Sequence, residues 1–153
     1  MKNEEQMVTA LKMGAEFGTS ALDNYKILAA RYDWNLEKTA CFEPRHLLYG
    51  MNADSAGRGV WFLAHSNYVD LRDTNGIWKN TIYGDKIFEE WIDPDAQHKY
   101  LGLLRDMSER IVFVKKQSGR YYFLGVFIPS GLSRNDKGHF VKTFERISDT
   151  YPV

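Results

Sequence analysis

Hydrophobic and polar positions alternate most clearly over residues 110–148, in the last third of the chain. Residues 111–116, a Gln-Ser-Gly turn and residues 120–128 follow the two-residue period of a β-hairpin. The polar, glycine-containing stretch at 129–138 predicts a flexible loop. Residues 139–147 then predict a last strand, so this third of the chain is expected to be mostly β.

The middle of the chain also predicts strands. The continuous apolar run at 60–64 is typical of a strand that is buried on both faces. Residues 68–72 and 77–83 flank the Asp-Thr-Asn-Gly turn at 73–76, which predicts a hairpin. A further strand is expected at 86–91. One face of it is shared by Ile87, Glu89 and Trp91.

Helical periodicity is confined to shorter stretches of the chain. Asn3 followed by two glutamates predicts a first helix that ends at Gly14 or Gly18. A second helix is expected to begin near Ser20, where Asp23 completes an approximate capping box, and to end near Asp33. The N-terminal part is therefore expected to be helical.

One more helix is predicted at 94–108, where an Asp-Pro-Asp sequence provides an N-cap and a proline at the first position. Residues 34–56 predict an irregular segment with a mobile loop. The predicted fold is a single α+β domain over 1–153: a helical and irregular part at 1–57, and at 58–153 a strongly bent or barrel-like, mainly antiparallel sheet of five to seven strands. The buried stripe of the later helix is expected to be Tyr100, Leu101, Leu104 and Met107.

Composition fits a globular domain that is rich in aromatic rings, with 44% hydrophobic and 14% aromatic residues. The single Cys41 excludes an intramolecular disulfide and a multi-cysteine zinc site. With no signal-like or membrane-spanning apolar run, we expect a soluble, cytoplasmic protein that does not associate with a membrane.

Charge is balanced overall, which argues against a uniformly positive surface for long nucleic acid. It is nevertheless uneven, because residues 110–146 hold 8 Lys/Arg against 2 Asp/Glu. This excess has two interpretations: solvated strand faces that discourage aggregation, or a patch that faces phosphates.

The sequence favours a binding protein over an enzyme. Its four histidines are scattered, and neither a nucleophile elbow nor a phosphate-binding loop is present, so no metal and no cofactor are expected. The segment from His65 through Asn67 and Tyr68 to Asp70 concentrates groups that could read the edge of a base by hydrogen bonds. The alternatives are a turn that satisfies its own backbone, or acid–base catalysis by His65 with Asp70.

Aromatic residues on several strands form the other candidate site. We expect Trp61, Trp78 and Tyr122 to provide stacking surfaces for a flat ligand, although most rings must fill the core. Tyr121 and Tyr122 must point to opposite faces of their strand. Arg120 and Arg134 are the candidates for contacts with phosphate.

Four sequence segments resemble the PUA-like β-barrel domains of bacterial restriction-associated and phage-associated proteins. They are NGIWKNTI at 75–82, RIVFV at 110–114, YYFLGVF at 121–127 and FERIS at 144–148. The resemblance covers about 58–150. In that superfamily, which includes the SRA, YTH and EVE types, an aromatic pocket in a curved barrel holds a nucleobase that is often modified. The resemblance therefore implies a binder rather than a catalyst.

Two hypotheses follow for function, with a third behind them. The first is a non-catalytic module that holds a nucleobase, a nucleotide or nucleic acid, modified bases included, in an aromatic pocket. The second is a protein-interaction module, encoded by a phage and acting on a host defence complex. The third is an enzyme that uses His65 and Asp70. The sequence does not identify the ligand, the oligomeric state or the pathway.

Overall fold

The computed structural model describes residues 9–42, 48–64 and 77–153. These residues form an α+β fold, as predicted. The helices are α1 (Ala21–Tyr32), α2 (Ala96–Lys99) and α3 (Leu101–Arg105), with a 3₁₀ helix at Leu36–Phe42. The strands are β1 (Leu11–Lys12), β2 (Tyr49–Gly50), β3 (Gly59–Ala64), β4 (Trp78–Tyr83), β5 (Lys86–Trp91), β6 (Arg110–Lys115), β7 (Tyr121–Arg134), β8 (Phe140–Ser148) and β9 (Thr150–Tyr151).

Seven of the strands form one open, mixed sheet with the order β2-β3-β6-β7-β8-β5-β4. The pair β3 and β6 is parallel and the other pairs are antiparallel. A separate two-stranded sheet pairs β1 with β9. The predicted hairpin turn at 73–76 and strand at 68–72 lie outside the described residues.

The parallel pair β3 and β6 forms the centre of the fold. Val60 lies opposite Ile111 and Phe62 opposite Phe113, and all four side chains are buried under α1. The alternate residues of both strands point to the opposite side of the sheet and contribute to a second core. The prediction that residues 60–64 form a strand covered on both faces is confirmed.

Helix α1 agrees with the prediction at both of its ends. The side-chain oxygen of Ser20 accepts a hydrogen bond from the backbone N–H of Asp23, 3.2 Å away, which satisfies a donor that the first turn leaves unpaired. The helix ends at Asp33, which has the left-handed conformation typical of a C-terminal cap. Leu28 and Tyr25 then face the core.

The prediction of a first helix is wrong for residues 9–18, the part of it that the structure describes. Leu11–Lys12 is a strand, and its neighbour Gly14 has a positive φ of 96°. The backbone N–H of Gly14 donates to the carbonyl oxygen of Phe123 at 2.8 Å. This stretch therefore satisfies its backbone groups by pairing with distant strands, which outweighs its helical periodicity. Residues 1–8 lie outside the described residues.

Strand β7 is longer than expected. The hairpin of β6 with β7 is confirmed, but residues 129–134, predicted as loop, continue β7 and pair with β8. A shift of register between Pro129 and Gly131 accommodates the proline. The predicted last strand is confirmed as β8.

The predicted helix at 94–108 is two short helices, α2 and α3. Tyr100 separates them with φ −119° and ψ 39°, which is not a helical conformation. Leu104 is buried as expected, but Leu101 and Met107 are exposed. The described residues of the predicted irregular segment at 34–56 include the 3₁₀ helix and β2, which the sequence did not predict.

Candidate binding site

The side chain of Arg110, the first residue of β6, lies inside an aromatic cage. Its guanidinium carbon is 4.2 Å from the ring centre of Tyr49, 4.4 Å from that of Phe144 and 4.8 Å from that of Trp61. The residue is completely buried. Contacts of this kind stabilise the guanidinium charge, because the faces of aromatic rings are negative.

The guanidinium is paired by charge but not by hydrogen bonds. Its Nη1 lies 3.8 Å from Oε2 of Glu89, which is beyond hydrogen-bond distance. None of its three nitrogens has a hydrogen-bond partner among the described residues. A buried guanidinium has five N–H donors, and leaving them unpaired is costly. These donors are therefore available for an acceptor-rich ligand.

We use the name Arg110 cluster for the buried polar and aromatic residues that surround this guanidinium. It consists of Tyr49, Trp61, Glu89, Asp106, Arg110, Lys142 and Phe144. The members come from five strands of the sheet, β2, β3, β5, β6 and β8, and from the segment after α3. The sequence separates them widely, so the fold alone creates the site.

The sheet bends strongly around the Arg110 cluster. Tyr49 belongs to β2 and Glu89 to β5, and five strand spacings lie between these strands, or about 24 Å on a flat sheet. Both side chains nevertheless flank one guanidinium. The prediction of a strongly bent sheet is thus confirmed, although the sheet is not closed into a barrel.

Lys142 fastens the segment after α3 to the sheet. Its Nζ donates hydrogen bonds to the carbonyl oxygens of Leu103, at 3.0 Å, and of Asp106. Burial and the positive charge of Arg110 lower the pKa of Lys142 to about 8, against the opposing effect of the negative charges of Glu89 and Asp106. The amine is thus held by carbonyl groups at the carboxyl end of a helix, where a positive charge is favoured.

Tyr49 also holds the segment after α3 against the sheet. Its hydroxyl donates to Oδ2 of Asp106 at 2.6 Å, and burial raises its pKa well above the usual value. Burial also opposes the charge of Asp106, but hydrogen bonds from Ser108 and Tyr49 lower the pKa of that carboxyl overall. Residues 101–108 therefore lie over the cluster, held by Tyr49 and Lys142.

Glu89 is the buried acid of the cluster. Burial raises the pKa of its carboxyl, whereas the charges of Arg110 and Lys142 lower it. The indole N–H of Trp91 also donates to its Oε1 at 3.0 Å. Among its named members the cluster has unpaired guanidinium donors and no nucleophile of the Ser, Thr or Cys type.

The structure places the predicted aromatic residues in different surroundings. Trp61 belongs to the Arg110 cluster. Trp78 is buried in another cluster, against Trp91 and Tyr100. Tyr122 is half-buried near Lys116, whereas Tyr121 is buried on the other face, as predicted. Trp61 and Trp78 therefore do not form one stacking surface.

Arg120 and Arg134 are not brought together. Arg120 precedes the first residue of β7, and its Nε donates to the carbonyl oxygen of Phe17 at 3.2 Å. Arg134 ends the same strand and lies over the ring of Phe140, 4.3 Å from its centre. They lie at opposite ends of β7, which is 14 residues long. The four predicted ligand residues His65, Asn67, Tyr68 and Asp70 lie outside the described residues.

Three buried charged residues of the site were not predicted from the sequence. Arg110, Glu89 and Lys142 each occupy a position whose strand neighbours on the same face are apolar or aromatic. A charged residue in phase with a buried face is the signal that could have identified them. Glu89 was placed on the face of Ile87 and Trp91, but no function was attached to it.

A smaller polar group joins His139, on the turn between β7 and β8, to Glu90 of β5. His139 Nδ1 lies 2.7 Å from Glu90 Oε2, which also accepts a hydrogen bond from the side chain of Asn135 at 2.9 Å. The hydrogen bond with His139 lowers the pKa of Glu90, and burial opposes this. The group fastens that turn to β5.

The described parts of the chain contain no group of three His, Cys, Asp or Glu residues that could hold a metal ion. None of their helices has the length and apolar character needed to cross a bilayer. Comparisons with family models, with curated proteins and with solved structures find no match.

Proposed function

We propose that this chain is a non-catalytic binding module that holds a nucleobase, or a nucleotide or nucleic acid strand that carries one, at the Arg110 cluster. The observation that carries the proposal is the buried guanidinium of Arg110, whose nitrogens lack hydrogen-bond partners among the described residues. Arginine presents a planar fork of donors that matches two adjacent acceptors, such as O6 and N7 of guanine.

The surrounding rings support a flat ligand. Tyr49, Trp61 and Phe144 already lie within 5 Å of the guanidinium carbon. A base that entered beside Arg110 would replace part of these ring contacts by stacking, which contributes about 1–3 kcal/mol per base. Trp61 keeps the stacking role expected of it, with Tyr49 and Phe144 in place of Trp78.

Entry of the ligand requires displacement of residues 101–108. Arg110 is fully buried, and this segment is held beside the cluster by the hydrogen bonds from Tyr49 and Lys142. The apolar contacts of the segment come from Leu103, which is partly buried, and Leu104, which is buried, whereas Leu101 and Met107 are 40% and 65% exposed. A covering segment of this kind opens at low cost, because few buried contacts hold it in place.

A ligand screen followed by one conservative variant tests the proposal. Thermal-shift measurements with purine and pyrimidine nucleotides, and with methylated and unmethylated oligonucleotides, should find a ligand that raises the melting temperature. Arg110→Lys keeps the charge and loses the planar fork, so it should weaken binding of that ligand roughly 5- to 150-fold, since a bidentate contact contributes about 1–3 kcal/mol. Lys26→Ala, on the exposed side of α1, is the control with one positive charge removed.

Two results would contradict the proposal. One is the absence of any nucleotide or oligonucleotide that stabilises the folded protein. The other is an affinity that Arg110→Lys leaves unchanged, with circular dichroism showing that the variant is folded. In the second case Arg110 and Glu89 form a buried ion pair whose function is structural.

A further inference from the structure

The second half of β7 has a strand on one side only. β6 pairs with β7 from Tyr121 to Phe127, and β8 pairs with it from Val126 to Arg134. Beyond Phe127, the edge of β7 opposite β8 therefore has no neighbouring strand among the described residues. The side chains of residues 130–134 are all exposed, so this edge is open to solvent.

The outward-facing groups of this edge belong to Leu132 and Arg134. The N–H of Asn135 donates to the carbonyl oxygen of His139, so this pair is directly hydrogen-bonded across the β7–β8 turn. Because such pairs alternate in an antiparallel ladder, Ser133 bonds to β8 and its two neighbours direct N–H and C=O outward. No described residue accepts from or donates to those outward groups.

The hydrogen bonds between β8 and β5 lead to the same assignment of outward-facing backbone groups on β7. The N–H of Arg146 donates to the carbonyl oxygen of Asp85 beside β5. Even-numbered residues of β8 therefore bond toward β5, and odd-numbered ones bond toward β7. Leu132 and Arg134 lie opposite Lys142 and Phe140, both even-numbered, so their backbone groups must point away from β8.

We propose that this edge pairs with the same edge of a second copy of the chain, in an antiparallel arrangement centred on Ser133. In that register the N–H of Leu132 donates to the carbonyl oxygen of Arg134 of the second copy, and the reciprocal bonds form by symmetry. All the outward groups of both residues are then satisfied. The two sheets join into one continuous sheet across a two-fold axis.

The side chains are compatible with a second copy. Arg134 lies opposite Leu132 of the second copy, Ser133 lies opposite itself, and Gly131 lies opposite Asn135. No like charges oppose each other, and the aliphatic part of arginine can cover Leu132, which is 51% exposed. The chain as a whole has no net charge at pH 7, so its net charge does not oppose association of two copies.

Pro129 limits the length of the pairing. It has no N–H to donate, and the register of β7 shifts next to it. The paired region is therefore restricted to residues 131–135. An interface this short is small, and small interfaces are weak and transient. The expected product is a dimer that forms reversibly as the protein concentration rises.

Sedimentation equilibrium of the full chain across a range of concentrations tests the proposal. We expect a monomer–dimer equilibrium. Leu132→Pro removes an outward N–H that β8 does not use, and it should weaken the dimer at least tenfold. Leu132→Val keeps the N–H and an apolar side chain, and it should dimerise nearly as well as the parent chain. Circular dichroism shows whether both variants are folded.

Hydrogen exchange of the unmodified chain gives a second readout that needs no substitution. The amides of Leu132 and Arg134 should exchange more slowly at high protein concentration than at low concentration, while that of Ser133 changes little. A chain that is monomeric at every concentration overturns the proposal. So does a dimer that Leu132→Pro leaves unchanged, or one in which these two amides are not protected.

Discussion

Replacement of Gly59 by alanine tests the packing of the Arg110 cluster most directly. A Cβ atom at Gly59 would lie 2.2 Å from the hydroxyl oxygen of Tyr49 and 2.4 Å from two of its ring atoms. Atoms cannot approach so closely, so the ring must move away. Its hydrogen bond to Asp106 and its contact with the Arg110 guanidinium would then be lost.

The expected cost of Gly59→Ala is about 3 kcal/mol. Loss of a hydrogen bond to a buried carboxyl contributes about 1–3 kcal/mol, and loss of the cation–π contact contributes about 1 kcal/mol. Urea denaturation measures the change in the free energy of unfolding. Gly102→Ala is the matched control. A Cβ there meets nothing within 4 Å, so in helix α3 it should be neutral or slightly stabilising.

A double substitution separates the clash from other effects of alanine at position 59. In a Tyr49→Ala background the obstructing ring is absent, so Gly59→Ala should cost much less there, with a coupling energy of about 2 kcal/mol. Equal costs in the two backgrounds would refute the reasoning. A cost below about 1 kcal/mol in the parent chain would refute it as well.

Two further predictions concern the helix cap and the buried lysine. Ser20→Ala should lower the free energy of unfolding by about 1 kcal/mol in urea denaturation, because the first turn of α1 loses its cap, and Ser20→Asp should restore most of it. Lys142 has a pKa of about 8 in the fold against 10.5 normally, so between these values the native state binds fewer protons than the unfolded state. The free energy of unfolding should therefore rise with pH in this window. Lys142→Met removes the titrating amine and should reduce this rise by roughly 1–3 kcal/mol. If the variant shows the same dependence of unfolding free energy on pH as the parent chain, the dependence does not come from Lys142.

Capping residues and the alternation of polar and apolar residues correctly predicted the elements that depend on residues near each other in the chain. The cap at Ser20 and the stop at Asp33 locate α1, and alternation locates β6 and most of β7 and β8. The errors lie where distant partners decide the backbone. Leu11–Lys12 becomes a strand because Thr150–Tyr151 lies beside it, and a sequence pattern of helical period contains no information about that partner.

The candidate site could be predicted only in part. Trp61 was identified because aromatic residues on strands are conspicuous, but its assembly with Arg110 depends on the bend of the sheet. The charge of Arg110 was assigned to a basic surface, because arginine is seldom buried. Its position in phase with Val112 and Val114 is the one local indication that it faces inward.

The parallel pairing of β3 with β6 has a consequence for the kinetics of folding. Everything from Ala64 to Arg110, including β4, β5, α2 and α3, lies between the two strands along the chain. Closing so long a loop costs entropy before any contact compensates for it, whereas the hairpins β4–β5, β6–β7 and β7–β8 close short loops. We therefore expect the central contact of the native core to form late, after the three hairpins, which all lie on the same side of β3 in the sheet.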